Sequence, residues 1–122
     1  MDDLVRWLGE QYDADERIAR AAGEEDGPDW QYDGHAVVTH REGDLVAVGS
    51  QDFMEPERGE HIAEHDPARV LREVDAKRKV VGGLEHLARD DNPFVSSIAD
   101  DSLRLLALPY ADRPGYQESW RP

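Results

Sequence analysis

The sequence predicts an α+β fold with a single domain over residues 1–122. Two stretches, 2–23 and 67–81, carry apolar residues at helical spacing, whereas residues 30–49 alternate β-forming residues with turn residues. A chain of 122 residues is long enough for one modest core. We therefore expect an N-terminal helix, a small antiparallel sheet of two or three strands, a central helix at about 67–81, and a short C-terminal helix with an aromatic tail.

The N-terminal helix is indicated by "DDLVRWLGEQYDADERIARAAG". Asp2 or Asp3 can accept the free amides of its first turn, where negative charge also suits the helix dipole. Leu4, Leu8 and Tyr12 recur every fourth residue and form an apolar stripe. Glycine often ends a helix, so we expect the helix to stop at Gly23.

The sheet is indicated by "WQYDGHAVVTHREGDLVAVGS". We expect strands near 36–40 and 45–49, joined by the turn at residues 41–44, and a third short strand at 30–32 before the Asp-Gly turn. A sheet this small needs helices against one face. Residues 50–59 are predicted to be a loop.

The central helix has clear start and stop signals. Pro67 disfavours helical geometry at the preceding residue, so any short helix containing His61 should end by His65. Asp66 is then the N-cap and Pro67 the first helical residue. The buried stripe is expected at Val70, Leu71, Val74 and Val81.

Gly82-Gly83 is predicted to end the central helix. The next stretch, "LEHLARDDNPFVSSIADD", is expected to hold a short helical turn and then a loop. The C-terminal helix should begin at a cap on Asp101 or Ser102 and end at Pro109.

Charge dominates the composition, with 28 acids, 14 bases and a formal net charge of −14, of which residues 1–33 carry −8. This charge repels phosphate, so we expect no direct binding to nucleic acid or to an anionic membrane surface. The acidity serves either solubility or mimicry of nucleic acid. A mimic would use six acids as surrogate phosphates: Asp13, Asp15, Glu16, Glu24, Glu25 and Asp26.

The chain has no cysteine, which excludes disulfides and thiolate chemistry. No apolar run approaches the roughly 18 to 20 residues that span a membrane. The N-terminus "MDDLVRWLGE" is acidic where a signal peptide is basic and then apolar. These features predict a cytoplasmic protein with no cofactor.

His61 and His65 are four residues apart and can share one face of a helix, which makes them candidate metal ligands. A site needs at least a third ligand, and Ile62 stands where a zinc protease has its glutamate. The alternative is structural, with His61 packed beside the helix junction and His65 hydrogen-bonded near the Asp66 cap.

No residues form a recognisable catalytic motif: the sequence lacks a Gly-rich phosphate loop, a nucleophile elbow and a triad order. Pairs of adjacent acidic residues are expected by chance in a chain with 28 acids, so they do not indicate a catalytic carboxylate pair. The C-terminal aromatics Tyr110, Tyr116 and Trp120 either fold back to seal the core or present rigid contact area to a partner protein.

Two stretches, "EHIAEHDPARVLREVDAKRKV" and "LRLLALPYADRPGYQESWRP", resemble a family of small actinobacterial and actinophage proteins of unknown function, marked by HIA-x-HDPARVL and LRLLALPYAD. Many members of that family carry cysteines between the central helix and LRLLALPYAD, which implies a small metal site there. This chain has "LEHLARDDNPFVSSIADD" in that place and so lacks the thiolate ligands.

Together these features predict a non-enzymatic intracellular interaction or regulatory protein of phage or mobile-element type that acts through protein–protein contacts. One alternative is an acidic inhibitor that mimics nucleic acid and blocks a DNA- or RNA-binding protein. Another is a small metal-binding protein that uses His61 and His65. The partner is expected to be a protein, and the oligomeric state is left open.

Overall fold

The computed structural model describes all residues of the chain, 1–122. It has an α+β fold, as the sequence predicts. The elements in chain order are α1 (Asp2–Ala22), β1 (Trp30–Tyr32), β2 (Ala36–Thr39), β3 (Leu45–Val48), α2 (Pro56–Glu64), α3 (Pro67–Leu87) and α4 (Pro93–Ala107). Single 3₁₀ turns lie at Leu108–Tyr110 and Glu118–Trp120, and an irregular turn lies at Ser50–Asp52. No helix combines the length and the apolar content needed to cross a membrane.

The chain forms two compact units. The helical unit comprises Met1–Ala14 and Asp75–Pro122, and the sheet unit comprises Asp15–Val74, so α1 and α3 each contribute residues to both. The sheet unit holds 16 acids and 6 bases, a net charge of −10, and the helical unit holds the remaining −4. The acidity of the chain is therefore concentrated in the sheet unit.

The sheet is antiparallel with strand order β1-β2-β3. Trp30 pairs with Thr39 between β1 and β2, and Ala36 pairs with Val48 between β2 and β3, with a register shift between Val37 and Val38. β2 is the central strand, and all four of its residues are buried. The predicted strands are confirmed to within one residue at each end.

α2 packs against β1 and β2, which gives the small sheet the helical cover it needs. The close approach depends on Gly59, which is buried in α2. A Cβ at this position would collide with the ring of Tyr32 on β1. The Tyr32 hydroxyl donates to the Met54 carbonyl at 2.9 Å, which fixes the ring under the helix. The predicted loop over 50–59 is wrong from Pro56 onward, because Pro56 occupies the first turn of α2.

α3 begins as predicted but does not stop at Gly82-Gly83, which was the predicted end; it continues to Leu87. An internal glycine costs a helix only about 1 kcal/mol relative to alanine. The following residues, "LEHL", are compatible with a helix, so the helix continues through the pair. Of the predicted stripe, Val74 and Val81 are buried, and Val70 and Leu71 are half-buried.

The expected loop before the C-terminal helix is also wrong. α4 begins at Pro93, and the side chain of Asn92 accepts the Phe94 amide at 3.0 Å as its N-cap. The predicted cap at Asp101 or Ser102 lies inside this helix. Asparagine followed by proline provides a cap and a fixed first helical residue, the same chemistry that starts α3 at Asp66-Pro67.

Candidate functional site

The histidine pair lies at the C-terminal end of α2. The imidazole centroids of His61 and His65 are 4.3 Å apart with the planes tilted by 38°. His65 Nδ1 lies 2.7 Å from the His61 carbonyl oxygen, so this nitrogen carries the proton and donates it. The His61 carbonyl also accepts the His65 amide at 3.2 Å, so His65 bonds this carbonyl at the end of α2 through both its main chain and its side chain.

Both histidines are exposed. The structure contains no group of three or more His, Asp or Glu side chains arranged to hold a metal ion. In the structure His65 hydrogen-bonds to its own helix immediately before Asp66, and His61 stacks on His65 at the end of α2.

Asp66 is the confirmed N-cap of α3 and also closes the edge of the sheet. Its Oδ1 accepts the Arg69 amide at 2.9 Å, which is the cap bond. Its Oδ2 accepts the Trp30 amide at 3.0 Å, so the same carboxylate holds β1. The Ala68 amide donates to the Pro28 carbonyl at 3.0 Å, a second link between the start of α3 and the chain entering β1. Buried Asp66 is thus a structural residue.

The C-terminal aromatics pack inside the helical unit. Trp7 on α1 lies 5.6 Å from Tyr116 and 5.4 Å from Trp120 between ring centroids, and Tyr12 lies 6.0 Å from Tyr110. Trp120 and Tyr110 are buried. This is the arrangement that the sealing alternative describes.

The tail is held in place by polar contacts as well as by ring packing. The Trp7 indole N–H donates to the Pro114 carbonyl at 3.0 Å. The next residue, Gly115, has φ +89°, and a Cβ there would lie 2.7 Å from Trp7 Nε1. Arg104 on α4 donates to the Ser119 carbonyl at 2.7 Å. Tyr110 and Trp120 therefore leave little area for a partner to contact.

The six acids of the mimicry hypothesis lie in different surroundings. Asp13, in the helical unit, forms an ion pair of 2.7 Å with Arg78, and Glu16, in the sheet unit, lies 3.5 Å from Arg20. Asp15 is half-buried on α1, and Glu24 and Glu25 are exposed in the turns after it. Asp13 and Glu16 are therefore each offset by an arginine.

The sixth acid, Asp26, is close to Asp44 in the turn that joins β2 and β3. Partial burial raises the pKa of Asp26, and the hydrogen bond and negative charge of Asp44 raise it further. A raised pKa favours the protonated, uncharged carboxyl. Asp26 is for this reason a weaker surrogate for a phosphate than a solvated acid.

A cavity of about 500 Å³ lies at the end of α1 in the sheet unit. Ala19, Pro28 and Leu71 provide apolar lining, and Arg17 and Arg20 provide cations. None of the groups with a shifted pKa lines it. Asp33 lies in the turn between β1 and β2, where its carboxylate accepts the amides of Ala36 and His35, and these hydrogen bonds lower its pKa.

The feature that the sequence analysis missed is an apolar stripe on the exposed side of α4. Phe94 is 73% exposed, Ile98 52% and Leu105 56%. Their spacings of four and seven residues place them within about 40° of each other around the helix. The opposite side of α4 is buried through Ala99, Leu103 and Ala107, so the exposed stripe is not the core-facing one. The periodicity was detectable once Asn92-Pro93 was identified as a helix start.

Comparison with curated proteins and with solved structures finds no significant match. The model of DUF6221, a family of unknown function, matches residues 1–122. Because the match covers the whole chain, the protein belongs to the DUF6221 family.

Proposed function

We propose that this protein is a non-enzymatic, cytoplasmic interaction protein that binds another protein through the apolar stripe of Phe94, Ile98 and Leu105. The stripe is the observation that carries the proposal. Isolated exposed apolar residues are ordinary on protein surfaces, but a row of three large ones marks an interaction surface more often. Burying such side chains in an interface stabilises a complex in proportion to the apolar area removed from water.

The preceding helix, α3, also carries exposed apolar residues. Val80 is 50% exposed and Leu87 42% exposed, and their spacing of seven residues places them on one side of α3. A five-residue turn joins α3 to α4. An amphipathic helix or a groove of a partner is the type of surface that accepts helical residues at such spacings.

The other candidate residues make contacts within the protein that explain their positions without a partner. Asp66 caps α3, His65 caps α2, and Trp7 holds the aromatic tail. A regulatory protein of phage or mobile-element type is the finer form of the proposal, and it is supported only by the sequence resemblance. Such a protein would act by occupying a surface of its partner.

The test is affinity capture from a lysate of the native host, followed by mass spectrometry. The variant Phe94→Glu/Leu105→Glu places two charges on the stripe. Ile18→Glu is the matched control, because Ile18 is an apolar residue on α1 with a similar exposure of 58%. Circular dichroism and the thermal unfolding curve confirm that each variant is folded.

We expect a protein that is retained by the wild type and by Ile18→Glu but lost from the double variant. Capture of the same proteins by all three chains would contradict the use of this stripe. Robust catalytic turnover that disappears on substitution of one cavity residue would contradict the non-enzymatic assignment.

A further inference from the structure

The two edges of the sheet differ. At the β1 edge, the outward-facing amide of Trp30 donates to Asp66 Oδ2, so that edge is closed. At the β3 edge, the outward groups belong to Val48. The Asp33 amide donates to the Ala36 carbonyl, so Ala36 directs its main chain toward β1. Val48, paired with Ala36, must then direct its N–H and C=O away from β2.

The open edge is apolar and is not protected by charge. β3 reads Leu45-Val46-Ala47-Val48, without a charged residue or a proline. Leu45 is 65% exposed and Val48 40%. Sheet edges in soluble proteins are normally blocked by lysine, proline or a covering element, and an unblocked edge pairs readily with another extended segment. With four residues and a register shift opposite it, β3 accepts only a short segment.

A cavity of about 280 Å³ follows the end of β3. Phe53, Met54 and Ile62 form its apolar lining, and its only charged residues are Glu55 and Arg58. Phe53 is 53% exposed. Such a cavity suits the apolar side chain of a chain segment that continues past Val48.

The loop that shapes this cavity has a costly backbone. Gln51 and Asp52 have φ of 58° and 60°, the left-handed region that non-glycine residues seldom occupy. A Cβ at Gly49 would collide with the Phe53 carbonyl. Unfavourable backbone conformations of this kind concentrate at ligand-binding sites, and here they hold Phe53 beside the strand end.

Charge indicates which segment fits. The sheet unit carries −10, and Glu42, Asp44, Asp52 and Glu55 flank β3 in the sequence. We propose that the open edge of β3 binds an extended segment of a partner protein, rich in lysine or arginine and alternating with apolar residues, as a fourth strand. Main-chain hydrogen bonds to β3 provide affinity, the cavity takes one apolar side chain, and the acids select for basic residues. This surface uses none of the residues of the α4 stripe, so either proposal can fail alone.

The probe is a capped, fluorescein-labelled peptide with the sequence Lys-Val-Lys-Val-Lys-Val, and binding is measured by fluorescence anisotropy. Two control peptides carry the same label. In one, alternate amides are N-methylated, which removes the donors on one edge of the strand. In the other, glutamate replaces each lysine. We expect the lysine peptide to bind at least tenfold more tightly than either control and to shift the NMR amide signal of Val48.

Two variants address the protein side. Val48→Pro removes an outward amide without breaking a bond to β2, a position that proline tolerates in an edge strand. Leu45→Lys adds a positive charge at the edge, and Ile18→Lys adds the same charge at an exposed position on α1. We expect Val48→Pro and Leu45→Lys to weaken binding at least tenfold and Ile18→Lys to leave it within a factor of about two.

Equal binding of the lysine peptide and the N-methylated peptide would overturn the proposal, as would equal affinities of Leu45→Lys and Ile18→Lys. Light scattering after size-exclusion chromatography tests whether a second copy of this chain, rather than a partner protein, pairs with the β3 edge. A wild-type dimer that becomes a monomer in Val48→Pro would show that the edge pairs with a second copy, and this result would also overturn the proposal.

Discussion

The carboxylate of Asp66 joins a helix start to a sheet edge, so Asp66→Ala should cost more than the loss of a cap. Loss of an N-cap typically costs about 1 kcal/mol. The Oδ2 bond to the Trp30 amide is lost as well, and a hydrogen bond to a charged group contributes about 1.5 to 3 kcal/mol. We therefore expect Asp66→Ala to lower the free energy of unfolding by about 2 to 4 kcal/mol, measured by urea denaturation.

Asn92→Ala is the matched control because Asn92 is an exposed N-cap whose side chain accepts the Phe94 amide. It should cost about 1 kcal/mol. Asp66→Asn keeps one acceptor oxygen and should fall between the two alanine variants. Hydrogen exchange separates the contributions: Asp66→Ala should speed exchange at the amides of both Trp30 and Arg69. A cost no larger than that of Asn92→Ala, with unchanged exchange at Trp30, would refute the second role.

Three further predictions follow from glycine packing, carboxyl coupling and the histidine pair. Gly59→Ala should lower the free energy of unfolding by about 1 to 3 kcal/mol because the new methyl group overpacks the contact with β1. Gly82→Ala, where the methyl group meets no other atom, should raise the free energy of unfolding by up to about 1 kcal/mol. Equal changes in the two variants would contradict the close packing at Gly59. Asp44→Asn should raise the melting temperature at neutral pH. The raised pKa of Asp26 makes stability fall as pH rises through that pKa, so the gain should vanish in acid, and a gain independent of pH would argue against coupling. Zinc should leave the melting temperature unchanged, and a rise of several degrees that His61→Ala abolishes would show that the histidines are ligands.

Local signals predicted much of the fold because local physics determines those parts. The strands at 30–32, 36–39 and 45–48 follow from alternating β-formers and from the Asp-Gly and Glu-Gly turns, where Gly34 and Gly43 have positive φ. The Asp66-Pro67 step fixed the end of α2 and the start of α3. In each case the side chain or turn that ends the element lies within a few residues of it.

The wrong helix boundaries arose in two ways: a glycine pair did not end a helix, and a cap-and-proline start was recognised at one position but not at another. Gly82-Gly83 resembles a stop, but a glycine pair ends a helix only when the chain adopts positive φ there, and neither residue does. Asn92-Pro93 has the same cap-and-proline chemistry as Asp66-Pro67 and went unrecognised amid a polar stretch. The second bond of Asp66 could not be predicted, because it joins residues 36 positions apart.

The C-terminal aromatic residues show that residue type alone does not reveal whether a side chain lies in the core or on a binding surface. Tyrosine and tryptophan dominate binding hot spots, which made the C-terminal aromatics the natural candidates for a partner surface. The structure places them against Trp7 and Tyr12, because a unit of this size needs their area for its own core. The large apolar side chains left exposed include Phe53, Phe94 and aliphatic residues on α1, α3, α4 and β3. A partner surface in this protein is therefore expected where aliphatic residues recur at helical or strand spacing, and substitutions of the terminal aromatics should lower stability rather than affinity alone.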